Sequence, residues 1–592
     1  MFQQEQQTIE ARIKAFCAEN DIPFAELKWG TIPFNGEWGI STSFFQLAAN
    51  ESRAGKGKGL PVPARAVEMA EQARASIGAI DGISRVEAVK GYLNLYFSTA
   101  EYASRVVDTV IEAGERFGAG APKGERVMVE FSQPNTHKSF HVGHLRSAIL
   151  GDSIAHIEAF AGYDVVRANY PGDMGLHVIR WLWNYMTNHN GQEPDADITQ
   201  WMGQVYADAT RRLEETPELE AEVRALYARW DRRDPEVVAL WQKTRQWSLD
   251  GFNQMYDALN ICFDKYYFNS EEEEPGKEVV KDLIARNIAQ DDRASGGSVY
   301  VKIDELLGLT KEQYRTAVVL RSDGTALYAT EDLALVLHKF RDYPDLARSI
   351  YIVDVRQSLH FTQIFKILEL AGHEQAKQCI HVPYELVTLP GNVVMSSREG
   401  TVVLLEELIR EAVSRAYAVV KEKNPDLSEE QMQAVARAVG LGAIKYPILA
   451  RDNARLVTFD WQSALDFNGQ AAPYIQYAQV RCNSILRKAG VERASPPAST
   501  FAYTLEPAEV QLIDMISRFP AEVQRAAAEY KPLVITTLAY DLARAFNDFY
   551  AACPVIQAEA AARHGRLRLV AAARQTLANA LGLMGIAAPE MM

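Results

Sequence analysis

Apolar positions recur with three different rhythms along the chain. Over residues 1–118 they describe a small α+β unit. Helical spacing at 9–19 and 66–77 flanks a Gly- and aromatic-rich stretch (29–45) and a loop, AGKGKGLPVPAR (54–65). GYLNLYF (91–97) then alternates like a strand, and GAGAPKGE (118–125) reads as a linker. Over residues 119–407 the rhythm changes to buried-type strands separated by helices. RVMVEF (126–131), the loop SQPNTHKSF (132–140), a helix beginning near His141, a stop at Gly162 and the strand YDVVRANY (163–170) form a βαβ pattern. That pattern predicts an α/β domain with a parallel sheet. Residues 188–295 are helical and charged with Trp and Tyr interleaved, which predicts an insertion between two halves of the sheet. Within it the run Glu271 to Glu274 predicts a solvated face. Strands resume at SVYVKI (298–303), TAVVLRS (316–322), ALYAT (326–330) and SIYIVDV (349–355). Residues 408–592 keep helical spacing almost throughout, predicting a helix bundle with its own core.

Composition narrows the classes. With 48% hydrophobic and 23% charged residues and no low-complexity tract, long disorder, collagen and a coiled-coil rod are excluded. At about 150 residues per domain, 592 residues fit three to five domains. No stretch reaches the roughly 18 uncharged apolar residues of a membrane span, and the polar start MFQQEQQTIEARIK lacks the apolar centre of a signal peptide. Five cysteines stand far apart without a CxxC, which argues against a disulfide framework or a thiolate zinc site. A reduced, cytoplasmic chain with no structural metal and no membrane partner is expected. The net charge of −15 argues against phosphate binding over the whole surface but permits a local basic face.

The sharpest chemical signal is His141-Val142-Gly143-His144, after a strand and loop and at the opening of a helix. A helix N-terminus carries partial positive charge and free N–H groups, so it attracts phosphate. Two imidazoles three residues apart share a helical face and can donate to phosphates. Gly143 lets a nucleoside approach the backbone. A second segment, Val394-Met395-Ser396-Ser397-Arg398-Glu399-Gly400, offers hydroxyls and a guanidinium for the other end of a triphosphate. Neither a P-loop nor a G-x-G-x-x-G fingerprint occurs, which disfavours a P-loop kinase or a dinucleotide enzyme.

Together these segments resemble the class I aminoacyl-tRNA synthetases, and within them the arginyl-tRNA synthetase family, over nearly the whole chain. VEFSQPNTHKSFHVGHLRS is similar to the segment leading through that family's HIGH signature. NYPGDMG, LYATEDLA, QSLHFTQ and MSSREGTVV also fit, as do KYPILARDNARLVTFDWQSALDF, YIQYAQVRCNSILRKAG and AFNDFYAACPVI near the C-terminus. The resemblance implies a Rossmann-like catalytic domain, an N-terminal domain gripping tRNA near its D-loop, and a helical anticodon-binding domain. It implies that ATP activates L-arginine, that Mg²⁺ accompanies the triphosphate, and that activation requires bound tRNA(Arg). A monomer is expected.

The family pattern assigns Glu130, Tyr328 and Asp332 to the guanidinium, whose five-donor fork suits carboxylates and neutral acceptors. It assigns Asn135 and Gln357 to the α-amino end. Gly143, His360, Gln363, Val394 and Met395 fall near the nucleoside, and His141, His144, Ser396, Ser397 and Arg398 near the phosphates. The family's KMSKS loop has lysines where Val394 and Ser397 stand here. Lys138, just before the signature, occupies the place of a compensating lysine, and His137 beside it is bulkier than expected. Met591-Met592 end the chain where relatives often place an arginine. Arg53, Lys56, Lys58 and Arg65 form a candidate basic patch for tRNA. Two further readings stay open at this point: a small-molecule adenylyltransferase, and a catalytically silent RNA-binding paralogue.

Overall fold

The catalytic half is organised by a five-stranded, all-parallel sheet. Its order is Cys379–Tyr384, Leu346–Asp354, Arg126–Glu130, Asp164–Asn169, Lys265–Tyr266. The computed structural model describes residues 3–56, 58–140, 142–389, 393–394, 404–491 and 501–592. The expected βαβ unit is present: strand Arg126–Glu130, helix Val142–Phe160 and strand Asp164–Asn169, the strands paired in parallel. Gly162, at φ 104°, makes the turn that a side chain would strain. Strand order reverses about Arg126–Glu130, which has Leu346–Asp354 on one side and Asp164–Asn169 on the other. The crevice at the carboxyl ends of such strands is where ligands bind in open α/β sheets.

Several expectations change. SVYVKI and TAVVLRS form Val299–Lys302 and Thr316–Leu320, but in a separate antiparallel sheet with Gln290–Asp291. ALYAT is not a strand. Tyr328 opens the helix Tyr328–Asp342, whose first turn is fixed when the Thr330 hydroxyl accepts from the Leu327 amide at 2.9 Å. A five-residue apolar run cannot distinguish the two, and burial of Leu333, Leu335 and Val336 selects the helix. The span 188–295 is largely helical, yet Lys265–Tyr266 within it rejoins the parallel sheet. The Glu271 to Glu274 run is not wholly solvated: Glu272 is buried and paired with His338.

The N-terminal unit has a four-stranded antiparallel sheet and its own core around Ile13, Phe44, Met69, Leu93 and Leu95. The C-terminal bundle of long helices (Leu405–Lys423, Glu429–Leu449, Ala472–Lys488, Pro507–Glu529, Pro532–Ala552 and Ala560–Leu583) has a small separate core around Ala416, Val420, Met432 and Val435, but shares the rest. One continuous cluster runs from Val127, Phe131 and Leu145 beside the sheet to Ile444, Phe519 and Leu569 in the bundle. Helix Thr99–Ala113 also joins it through Val106, Val107 and Val110. Among the described residues no helix is long and apolar enough to cross a membrane.

Candidate functional site

The strand Arg126–Glu130 ends in a loop held in an unusual shape. Ser132, Gln133 and His137 have φ of 77°, 46° and 60°, a left-handed region that costs non-glycine residues energy. Neighbouring elements hold each of them. The Ser132 amide donates to Ser147 Oγ (3.0 Å), the Gln133 amide to Asn169 Oδ1 (3.1 Å) and the His137 amide to Ser248 Oγ (2.9 Å). The His137 ring is buried between the hydroxyls of Thr136 and Thr244, at 2.9 and 2.8 Å, and burial holds its pKa well below the usual imidazole range. Its bulk is therefore a packing feature. The loop delivers the chain to helix Val142–Phe160 at the carboxyl edge of the sheet.

Beside that helix start lies a cleft of about 310 Å³. Six residues singled out from sequence line it together: Glu130, Asn135, His144, Tyr328, Asp332 and Gln357. Asn135 bridges to Gly172, where a Cβ would come within 2.4 Å of Asn135 Oδ1 and displace that amide, so glycine there leaves the Asn135 side chain in place. Gly143 is in the first turn beside His144. His141, Met395, Ser396, Ser397 and Arg398 lie outside the described residues, as does the side chain of Val394.

The cleft is rich in acid. Asp332 accepts from His360 Nε2 at 2.6 Å, which ties His360 to the acid cluster. Glu331, beside it, accepts from Asn269. Burial first, and the Asp332 charge second, push its pKa up to about 8. Asn269 also donates to the Tyr170 hydroxyl at 2.7 Å. Glu130 is buried, with Gln133 Nε2 donating to Oε1 at 3.0 Å and Lys339 paired to Oε2. Lys339 is fully buried, its ammonium 3.7 Å from the centre of the Tyr351 ring. Asp332 and Glu130 against one buried ammonium leave an excess of negative charge even with Glu331 protonated, the requirement for seating a cation.

Other candidates are placed elsewhere. Gln363 does not line the cleft; its amide donates to the Tyr314 carbonyl at 2.6 Å. Lys138 sits 5.0 Å from the centre of the Tyr206 ring, on helix Ile198–Glu215 of the insertion. Its charge contributes, after burial, to holding His177 down at about 3. Arg65 is buried and bound in a fork to Glu51 at 2.7 Å by both nitrogens, so it is a core ion pair and leaves the basic patch. Arg53, Lys56 and Lys58 are exposed, Lys56 pairing with Asp21 and Lys58 with Glu68.

Sequence reasoning missed Tyr170, Asn269, Glu331 and Lys339. Lys339 follows Asp332 by seven residues, two helical turns, so reading ALYAT as a helix start would have put both on one face. Asn269 lies in the segment read as part of the insertion.

Comparison with known proteins agrees with this geometry. The family described as "tRNA synthetases class I (R), catalytic domain" matches residues 106–461, more than half of the chain, and "DALR anticodon binding domain" matches 475–592. The arginine–tRNA ligase of Bdellovibrio bacteriovorus is 35% identical over 510 residues, covering 85% of this chain and 86% of its own length. That of Clostridium perfringens is 34% identical over 514 residues, covering 86% and 88%. The solved Thermus thermophilus arginyl-tRNA synthetase superposes with a TM-score of 0.77 at 27% identity, covering 99% of this chain and all of its own. The Plasmodium falciparum enzyme, at 19% identity and a TM-score of 0.72, shares the fold. The chain belongs to the arginyl-tRNA synthetase family of class I tRNA synthetases.

Proposed function

We propose that the acid-rich cleft seats the side chain of L-arginine and that the adjoining helix start seats ATP, within an arginine–tRNA ligase. The chain activates L-arginine with ATP and transfers it to the 3′-end of tRNA(Arg) for protein synthesis. The observation that carries the residue assignment is the convergence of Glu130, Tyr328 and Asp332 with His144 on one cleft.

Asp332 and Tyr328 share a face of helix Tyr328–Asp342 and accept the guanidinium, with Glu331 and Asn269 behind them. Glu130, pinned by Lys339 and Gln133, is a fixed acceptor wall. Asn135 and Gln357 take the α-amino end, leaving the carboxylate directed toward the helix start. That carboxylate attacks the α-phosphorus of ATP, a new P–O bond forms, and pyrophosphate leaves. The terminal ribose hydroxyl of tRNA then attacks the arginyl carbonyl, forming the ester and releasing AMP. No protein nucleophile enters either step; positioning and charge stabilisation do the work. His144, Gly143 and the helix N-terminus favour the phosphates, with His141, Ser396, Ser397 and Arg398 assigned there by motif. The described residues hold no cluster of three or more His, Cys, Asp or Glu side chains that could cage a metal. Mg²⁺, which the family resemblance implies, would accompany the triphosphate and neutralise part of its charge.

The N-terminal unit (1–118) is assigned to the tRNA near its D-loop and the bundle (408–592) to its anticodon, with the catalytic part (119–407) between them in sequence taking the 3′-end. Charging of total tRNA with labelled arginine tests the assignment. Robust charging with arginine, and none with citrulline, is expected. Equal use of the two would refute the reading of the cleft as a cation site.

A further inference from the structure

The helix that carries His144 has a second face. Residues two apart on a helix point about 200° away from each other. His144 lines the cleft, and Arg146 points the opposite way, into the bundle. Arg146 is completely buried, and it reaches backbone carbonyls instead of a carboxylate. Its guanidinium donates to Ile448, in the last turn of helix Glu429–Leu449, and, at 3.4–3.5 Å, to Asp452, Asn453 and Arg455 just beyond. Among the described residues its Nε has no acceptor.

This is a costly way to fill space. A buried guanidinium answered only by neutral acceptors pays desolvation that carbonyls at a helix C-terminus offset in part. Burial accordingly lowers its pKa to about 10. Apolar residues of similar volume often replace buried ions without loss of stability. Packing alone therefore does not account for the charge.

The place of its acceptors gives the charge a use. Asn453 also accepts from the Glu385 amide at 2.9 Å, and the segment continues into strand Val457–Thr458, paired with Val387–Leu389. Further along the same helix, Ser153 Oγ donates to the Leu583 carbonyl at 2.9 Å. Asp152 faces Lys445 across 4.0 Å, and Lys445 donates to Gly585. Of these three contacts, that of Arg146 is nearest the helix N-terminus. It joins the second turn of the nucleotide-facing helix, the end of a bundle helix and the base of the Val387–Leu389 strand.

We propose that Arg146 is a positioning residue that links occupancy of the bundle by tRNA to occupancy of the His144 helix start by ATP. The inference rests on the assignment of those two ligands made above. Linkage is reciprocal: what tRNA does to nucleotide affinity, the nucleotide does to tRNA affinity.

The test uses the full-length chain and a non-hydrolysable ATP analogue, titrated calorimetrically with and without tRNA(Arg). In the wild type, tRNA should tighten analogue binding by at least about fivefold, the lower end of ordinary coupling. Arg146→Met should reduce that factor below about twofold, while its melting temperature and its affinity for tRNA without nucleotide stay near wild type. Arg146→Met with full coupling would overturn the proposal, as would a wild type that charges tRNA but shows no coupling. A wild type that charges no tRNA would instead overturn the underlying function. If Arg146→Met does not fold, hydrogen exchange on the wild type decides. Amides in 143–150 should exchange more slowly when tRNA binds, and unchanged exchange there would overturn the proposal.

Discussion

Asp332→Asn keeps the size of the side chain, and its carbonyl oxygen can still accept from His360, but the formal charge is lost. Two unit charges about 4 Å apart attract by about 4 kcal/mol at an effective dielectric of about 20. The Asp332 side chain is 15% exposed, so solvent screens only a minor part of this. Glu331 and Glu130 remain to share the cation, which lowers the loss to about 2–4 kcal/mol, within the range for removing one partner of a hydrogen-bonded charge pair. kcat/KM for arginine should therefore fall about 30- to 1000-fold, with the KM for ATP changed less than about threefold. One compensation follows from the structure. The Asp332 charge helps hold the Glu331 pKa up at about 8, so its removal should let Glu331 ionise at lower pH. The defect of Asp332→Asn should then be smallest just below about pH 8, where Glu331 is ionised in the variant and still protonated in the wild type. Pyrophosphate exchange with arginine and ATP varied separately measures all three quantities. Equal increases in the two KM values, or a defect that ignores pH, would refute the reasoning.

In the wild type, Glu331 is protonated below about pH 8 and ionised above it, so the KM for arginine, always a cation, should fall as pH rises through that region; a flat profile would remove Glu331 from the site. The same group, whose folded pKa lies above its unfolded value, binds more protons folded than unfolded, so it should lower stability progressively as pH rises from about 4.5 to about 8. Lys339→Met leaves Glu130 buried without its cation and should cost about 3–5 kcal/mol, read as a lower melting temperature, while adding Glu130→Gln should restore most of it. Lys138→Ala should cut kcat for activation by about 10²–10³ with little change in arginine KM, because Lys138 stands three residues before the signature and off the arginine end of the cleft; an unaltered kcat would exclude it from the phosphate site.

What could be read from the chain depended on how local the cause was. The βαβ unit, the stop at Gly162 and six cleft residues rest on short-range pattern or on motif, and they stand together in the fold. ALYAT was misread because tertiary burial of Leu333 and Val336, not the five residues themselves, decides its conformation. The Glu130–Lys339 pair joins residues 209 positions apart, and Arg65 looks basic in sequence only because Glu51, its buried partner, is on another helix. The pairing of His360 with Asp332 was hidden similarly, since it crosses a helix–helix contact. The bundle was expected to have its own core. It has a small one, around Ala416, Val420 and Met432, while most of its apolar faces close over the sheet-side helix through Phe519 and Ile444, something no helical periodicity reveals.

One cleft reads a guanidinium by its acids and a nucleotide by the adjoining helix start, and a crystal structure with a stable analogue of arginyl-adenylate puts both to the test at once. The guanidinium should lie within hydrogen-bond distance of Asp332 and Tyr328, with the adenylate phosphate toward His144 and Gly143. An analogue bound with its guanidinium away from Asp332, or with its phosphate on the far side of the cleft from helix Val142–Phe160, would contradict it.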